Sequence, residues 1–165
     1  MHITPSMKNK IAPCILLGSM FFLMIASVWN ESAIMDELAH IPAGYSYVAL
    51  MDMRLNPEHP PLIKDLAAFP LLFLRLRFPV QDESFWNAEN VHDRQWAAGS
   101  ALLYNFGNDA DKILFWARLP IMLLAVAFGG LLYRWIFSLY GGTTALLVLF
   151  FYALSPTILA HSRFG

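Results

Sequence analysis

The chain has 165 residues, of which 58% are hydrophobic and 14% charged, and its mean hydropathy is +0.50. That apolar share exceeds the composition of an ordinary soluble domain and makes a bilayer the expected solvent. The net charge of −1 argues against a nucleic-acid partner, and a lone cysteine, Cys14, excludes a disulfide framework or a thiolate metal site built from this chain.

Charge is partitioned along the sequence. All twelve acids lie between Glu31 and Asp111. The segment Asn30 to Lys112 holds six bases against them (Arg54, Lys64, Arg75, Arg77, Arg94 and Lys112), a net of −6, whereas Lys8, Lys10, Arg118, Arg134 and Arg163 stand in apolar or terminal surroundings. Blocks of this kind report membrane topology.

The first element is the uncharged run Ile11 to Trp29, long enough at about 1.5 Å per residue to cross most of a hydrocarbon core of about 30 Å. It exceeds the usual apolar region of a signal peptide and no A-x-A cleavage site follows, so it reads as an uncleaved first span. Lys8 and Lys10 before it, and Arg134 far downstream, put both positions on the cytoplasmic side by the positive-inside rule, and segment 30–112 becomes an external, periplasmic-type loop. The expected location is the cell membrane.

Immediately after this span comes Asp36-Glu37-Leu38-Ala39-His40. On a helix, steps of about 100° place the three polar side chains within one arc, able to face one ligand before Pro42 ends the turn. Two acids and an imidazole also suit a divalent cation. An ordinary solvated helix end carries the same residue types.

Next is Arg54-Leu55-Asn56-Pro57-Glu58-His59-Pro60-Pro61-Leu62-Ile63-Lys64, whose prolines predict an extended, stiff path around Glu58 and His59. Lys64 there either binds a phosphate or snorkels to the headgroups. The segment Leu62 to Phe78 is strongly apolar, but Lys64, Asp65, Arg75, Arg77 and Pro70 interrupt it, which predicts a helix lying in the outer membrane surface and not a crossing. Tyr45, Tyr47, Trp86, Trp96, Trp116 and Trp135 read most simply as interfacial aromatics.

The apolar tract from Leu119 to Ala160 is broken only by Arg134, and Gly141-Gly142 marks a reversal within it. It divides into a second span of about 113–137 and a third of about 143–160. Arg118 lies inside the start of the second span, and a cation there requires a partner or ligand, or snorkels. The expected class is an all-α membrane protein, a multi-pass helical bundle with three transmembrane helices and a long external loop of interfacial helices.

Three signatures combine: Asp36-Glu37 opening the loop, His59-Pro60-Pro61 followed by Lys64, and Ala117-Arg118-Leu119-Pro120 entering the second span. In these the chain resembles, over almost its whole length, the amino-terminal part of a glycosyltransferase of the C fold in the protein O-mannosyltransferase superfamily, which includes bacterial enzymes that transfer aminoarabinose to lipid A. The resemblance implies sugar transfer from a polyprenyl-phosphate donor to a lipid, glycan or protein acceptor at the outer face, with membrane lipids around it. It implies Asp36 as the base that takes the acceptor's proton, with Glu37 its runner-up or an acceptor-positioning group. Lys64 and Arg118 would then hold the donor phosphate, Glu58 and His59 would lie in the substrate region, and His40 with Asp36 and Glu37 would ligate a divalent ion where one assists. Ile63 departs from the glycine of the mannosyltransferases, which argues against protein mannosylation. Family members have many more spans, so the chain alone is expected to be inactive. A non-catalytic membrane subunit or truncated paralogue, whose loop binds a partner, is the alternative.

Overall fold

A computed structural model describes residues 8–78, Trp86 and 91–164. Every regular element among the described residues is helical. In chain order they are α1 (Lys8–Val28), α2 (Met35–Leu50), α3 (Pro61–Ala68) running into a 3₁₀ turn (Phe69–Phe73), α4 (Val91–Ser100) running into a π turn (Ala101–Asn105), α5 (Ala110–Tyr140), α6 (Gly142–Ala153) and α7 (Pro156–His161). The chain divides into two compact units, Met1–Trp29 with Met122–Arg163, and Asn30–Ile121 with Phe164–Gly165.

Among the described residues two helices are long and apolar enough to cross a membrane. One is α1, whose window Ile11–Val28 has a mean hydropathy of 2.3, and the other is α5, at 1.9. A 31-residue α5 reaches about 46 Å at 1.5 Å per residue, more than a hydrocarbon core requires. Gly141 takes φ +82 between α5 and α6, so the reversal predicted at Gly141-Gly142 is made where glycine alone is unstrained.

The expected continuous third span is not present. α6 has 12 residues, about 18 Å, well short of a crossing. Pro156 lacks the N–H that would continue the helix, and Ser155 starts α7 instead, its Oγ accepting from Ile158 N–H at 3.5 Å.

In the first unit α1 packs on α6 and α7. Met20, Met24 and Val28 from α1 and Ala145, Leu149 and Ala153 from α6 are buried. Tyr152 meets its polar need within this apolar body by donating from Oη to the Ala125 carbonyl at 2.8 Å.

The second unit is organised by α2, packed between α3 and α4. Its core joins Ile41, Ala67, Leu71, Leu102, Leu103, Ile113, Leu114 and Ala117. A neighbouring cluster joins Ala43, Tyr47, Leu55, Trp86 and Ala98, so Tyr47 and Trp86 are core residues and not the interfacial aromatics that composition suggested. Pro42 does not end α2 either: it lies inside a helix that continues to Leu50. A proline at 42 cannot donate to the carbonyl four residues earlier, that of Leu38. Gly99 of α4 lies against that same carbonyl, since a Cβ added to Gly99 would stand 2.0 Å from Leu38 O. The close approach gives the freed oxygen an apolar neighbour, with the α-carbon hydrogens of glycine available as weak donors. On the other side of α2, a Cβ on Gly44 would come within 2.2 Å of Lys64 O.

These are backbone contacts with no flexible side chain to yield. Gly99→Ala is therefore expected to destabilise the protein by roughly 1–3 kcal/mol or more by overpacking. Gly18→Ala, where a Cβ meets nothing within 4 Å, should be neutral or slightly stabilising in the same denaturation assay. Equal behaviour of the two variants would refute the close-packed α2–α4 crossing.

Candidate functional site

Asp36 and Glu37 sit in the first turn of α2, where carboxylates complement the helix dipole. Adjacent positions on a helix diverge by about 100°, and here the divergence separates two environments. Asp36 is exposed. Glu37 is fully buried and engaged on both oxygens. Its Oε2 accepts from Ile34 N–H at 3.0 Å, closing the start of the helix.

The same carboxylate receives the Arg118 fork. Arg118 Nε donates to Oε1 at 2.8 Å and Nη2 to Oε2 at 2.7 Å. Nη1 also donates to the Glu31 carbonyl at 3.1 Å and Nη2 to that of Ser32 at 3.0 Å, and the Phe164 ring lies 5.3 Å from the guanidinium. Only 1% of Arg118 is exposed. A bidentate, dry pair with two further N–H groups on backbone carbonyls is the arrangement that makes burial of both charges tolerable. Arg118 thus fastens the segment that links α1 to α2, and its donors are turned to protein acceptors, not toward an open phosphate site.

Lys64 is likewise internal, at 2% exposure. The ammonium donates to Asn56 O at 2.7 Å, Asn56 Oδ1 at 2.9 Å and Tyr47 Oη at 3.2 Å, matching its three N–H groups with three acceptors. Tyr47 Oη also donates to the Asn56 carbonyl, and Asn56 Nδ2 to Gln95 Oε1. Burial pushes the Lys64 ammonium below its ordinary pKa, with Asp65 and Glu58 pulling it partly back up. Burial raises the Tyr47 phenol, offset in part by its bond to Asn56. This network ties the loop before α3 to α2 and α4. The loop itself turns at Pro57 and Glu58, where an extended path was expected. Proline fixes its own φ but is equally at home in the first corner of a turn.

The turn brings His59 to α2. Its ring lies 5.4 Å from that of His40, edge to face, and His40 follows Asp36 by four positions, on the same helical face. Asp36, His40 and His59 are consequently the predicted site residues that remain at the surface of one region, with Glu58 exposed beside His59. Among the described residues no three His, Cys, Asp or Glu side chains form a group able to hold a metal ion. The expected convergence of Asp36, Glu37 and His40 on a cation is thereby corrected: Glu37 is drawn inward by Arg118 while Asp36 faces out.

An exposed carboxylate on the same helical face as an imidazole can accept a proton from an acceptor hydroxyl. Sequence reasoning missed the partners. Asn56, Gln95 and Tyr47 gave no signal as a set, whereas a cation inside an apolar span does call for an acid somewhere in the chain. Comparison with models of known families, with curated proteins and with solved structures finds no match to this chain.

Proposed function

We propose that the chain belongs to a multi-pass membrane glycosyltransferase of the C fold that moves a sugar from a polyprenyl-phosphate donor to an acceptor hydroxyl at the outer face of the cell membrane. The observation that carries the reading is the split of the acidic pair: Asp36 is exposed on the helical face it shares with His40, whose ring meets that of His59, while Glu37 is locked on Arg118. In this reading the amino terminus is cytoplasmic, segment 30–112 is external, and α6 with α7 makes the third crossing.

The acceptor oxygen attacks the anomeric carbon as the bond from that carbon to the phosphate oxygen breaks, and the electron pair leaves with the phosphate. That leaving group needs no proton, so the protein must chiefly accept the acceptor's proton, the role given to Asp36. Glu37, Arg118 and Lys64 act as positioning residues that hold α2 and the His59 turn in place.

A specific observation also favours a non-catalytic membrane subunit whose loop binds a partner: the buried charges Glu37, Arg118 and Lys64 are all satisfied within the protein. Membranes carrying the complete product of the gene, supplied with radiolabelled polyprenyl-phosphate sugars, separate the two. The transferase reading expects label in an acceptor fraction above that of membranes lacking the protein. Labelling equal to that background, across lipid, glycan and protein fractions, would leave the subunit reading.

A further inference from the structure

The cations that remain available lie elsewhere in the second unit, around a cleft of about 490 Å³. Its walls include Arg75, Arg77 and Lys112, with Phe73 at one side and Asn108 and Asp109 at another. Along residues 74–78 burial alternates: Leu74, Leu76 and Phe78 pack toward the core, while Arg75 and Arg77 are exposed. The two guanidinium groups therefore share the outward side of a segment anchored by its leucines.

That segment is also clamped. Asn108 Oδ1 accepts from Arg77 N–H at 2.9 Å, and Asn108 Nδ2 donates to Arg77 O at 2.9 Å and Leu102 O at 2.7 Å. The Arg77 guanidinium runs beside Gly107, where a Cβ would stand 3.6 Å from Nη1. Lys112 is in the first turn of α5, whose backbone dipole adds positive potential at this end. The cleft's one acid is engaged, Asp109 Oδ1 accepting Lys112 N–H at 3.1 Å. Among the described residues the side chains of Arg75, Arg77 and Lys112 have no ion pair with an acid.

Next to these cations is an apolar face. Phe73 is 78% exposed and Phe69 58%, their rings paired edge to face at 5.8 Å, and Leu62 and Leu72 are exposed with them. Basic groups beside exposed aromatics, at the entrance to a helix long enough to cross a membrane, match the two layers of a bilayer surface, phosphate above and acyl chain below. We propose that this cleft is a binding site for the phosphate headgroup of an anionic membrane lipid, held by Arg75, Arg77 and Lys112, with Phe69, Leu72 and Phe73 against its acyl chains. The site stands independently of the transferase reading.

The test is titration of the detergent-solubilised 165-residue chain with phosphatidylglycerol and with phosphatidylcholine, read as bound lipid by native mass spectrometry. The wild type is expected to favour phosphatidylglycerol by at least about tenfold, and R75Q/R77Q/K112Q to lose affinity for it on the order of a hundredfold. R75K/R77K retains charge and should keep most of the affinity, and R54Q, outside the cleft, should keep all of it. Because the three side chains are exposed, helical content by circular dichroism should not change. Undiminished phosphatidylglycerol binding by the triple variant would overturn the proposal. So would displacement of the lipid by equimolar inorganic phosphate, which would make the cleft a free-anion site.

Discussion

Arg118→Ala is expected to lower the stability of the protein by roughly 3–5 kcal/mol, the range for removing one partner of a buried ion pair. The loss has three parts. Glu37 keeps a charge with no water and no counter-ion, the carbonyls of Glu31 and Ser32 lose their donors, and the volume of a large buried side chain is vacated. Glu37→Gln should fall in the same direction by less, because an amide still accepts one bond. The double variant Glu37→Leu/Arg118→Leu should recover much of the loss, since no unpaired charge remains. Denaturant unfolding of the solubilised chain checks all three. An Arg118→Ala protein as stable as the parent would mean that the fork on Glu37 does not form.

The second large effect concerns turnover. Asp36→Asn is expected to reduce sugar transfer by roughly 10²–10⁴-fold, the usual contribution of a positioned general base, while the amount of inserted protein and its unfolding midpoint stay near those of the parent. The amide keeps the shape of the exposed side chain but cannot take the acceptor's proton at neutral pH. Glu37→Gln should show the opposite pattern, with less folded protein and nearly unchanged turnover per folded molecule. Measuring rate and folded fraction together distinguishes the two carboxylates. Full activity in Asp36→Asn would remove it from the chemistry, and equal behaviour of both variants would dissolve the division of labour between them.

The parts of the fold legible in the sequence were those set by continuous physical properties. The uncharged run after Lys10 and the tract after Arg118 showed α1 and α5 because a bilayer-length apolar helix needs only composition and length. Gly141-Gly142 showed the reversal because a positive φ selects glycine. Proline was less readable, since its effect depends on what the freed carbonyl meets. Pro42 is accommodated inside α2 opposite Gly99, while Ser155-Pro156 divides the expected third span. Within the candidate site, the helical phase relating Asp36 to His40 followed from local spacing, but the same spacing placed Glu37 beside them, where Arg118 instead draws it inward. The assignment of Arg118 and Lys64 to a phosphate did not foresee their internal partners: Glu37 lies 81 positions from Arg118, and the Asn56 and Tyr47 acceptors of Lys64, 8 and 17 positions away, are neutral groups that no charge pattern marks.

The fork between Glu37 and Arg118 spans 81 positions, and this separation carries a consequence in time. During synthesis the acidic segment leaves the ribosome long before the arginine that neutralises it, so α2 spends that interval with a carboxylate it cannot yet bury. Folding of the second unit is thus gated by delivery of the first turns of α5, and a nascent chain arrested ahead of Arg118 should present α2 in a protease-sensitive form. A single late residue thus serves as the latch of the second unit.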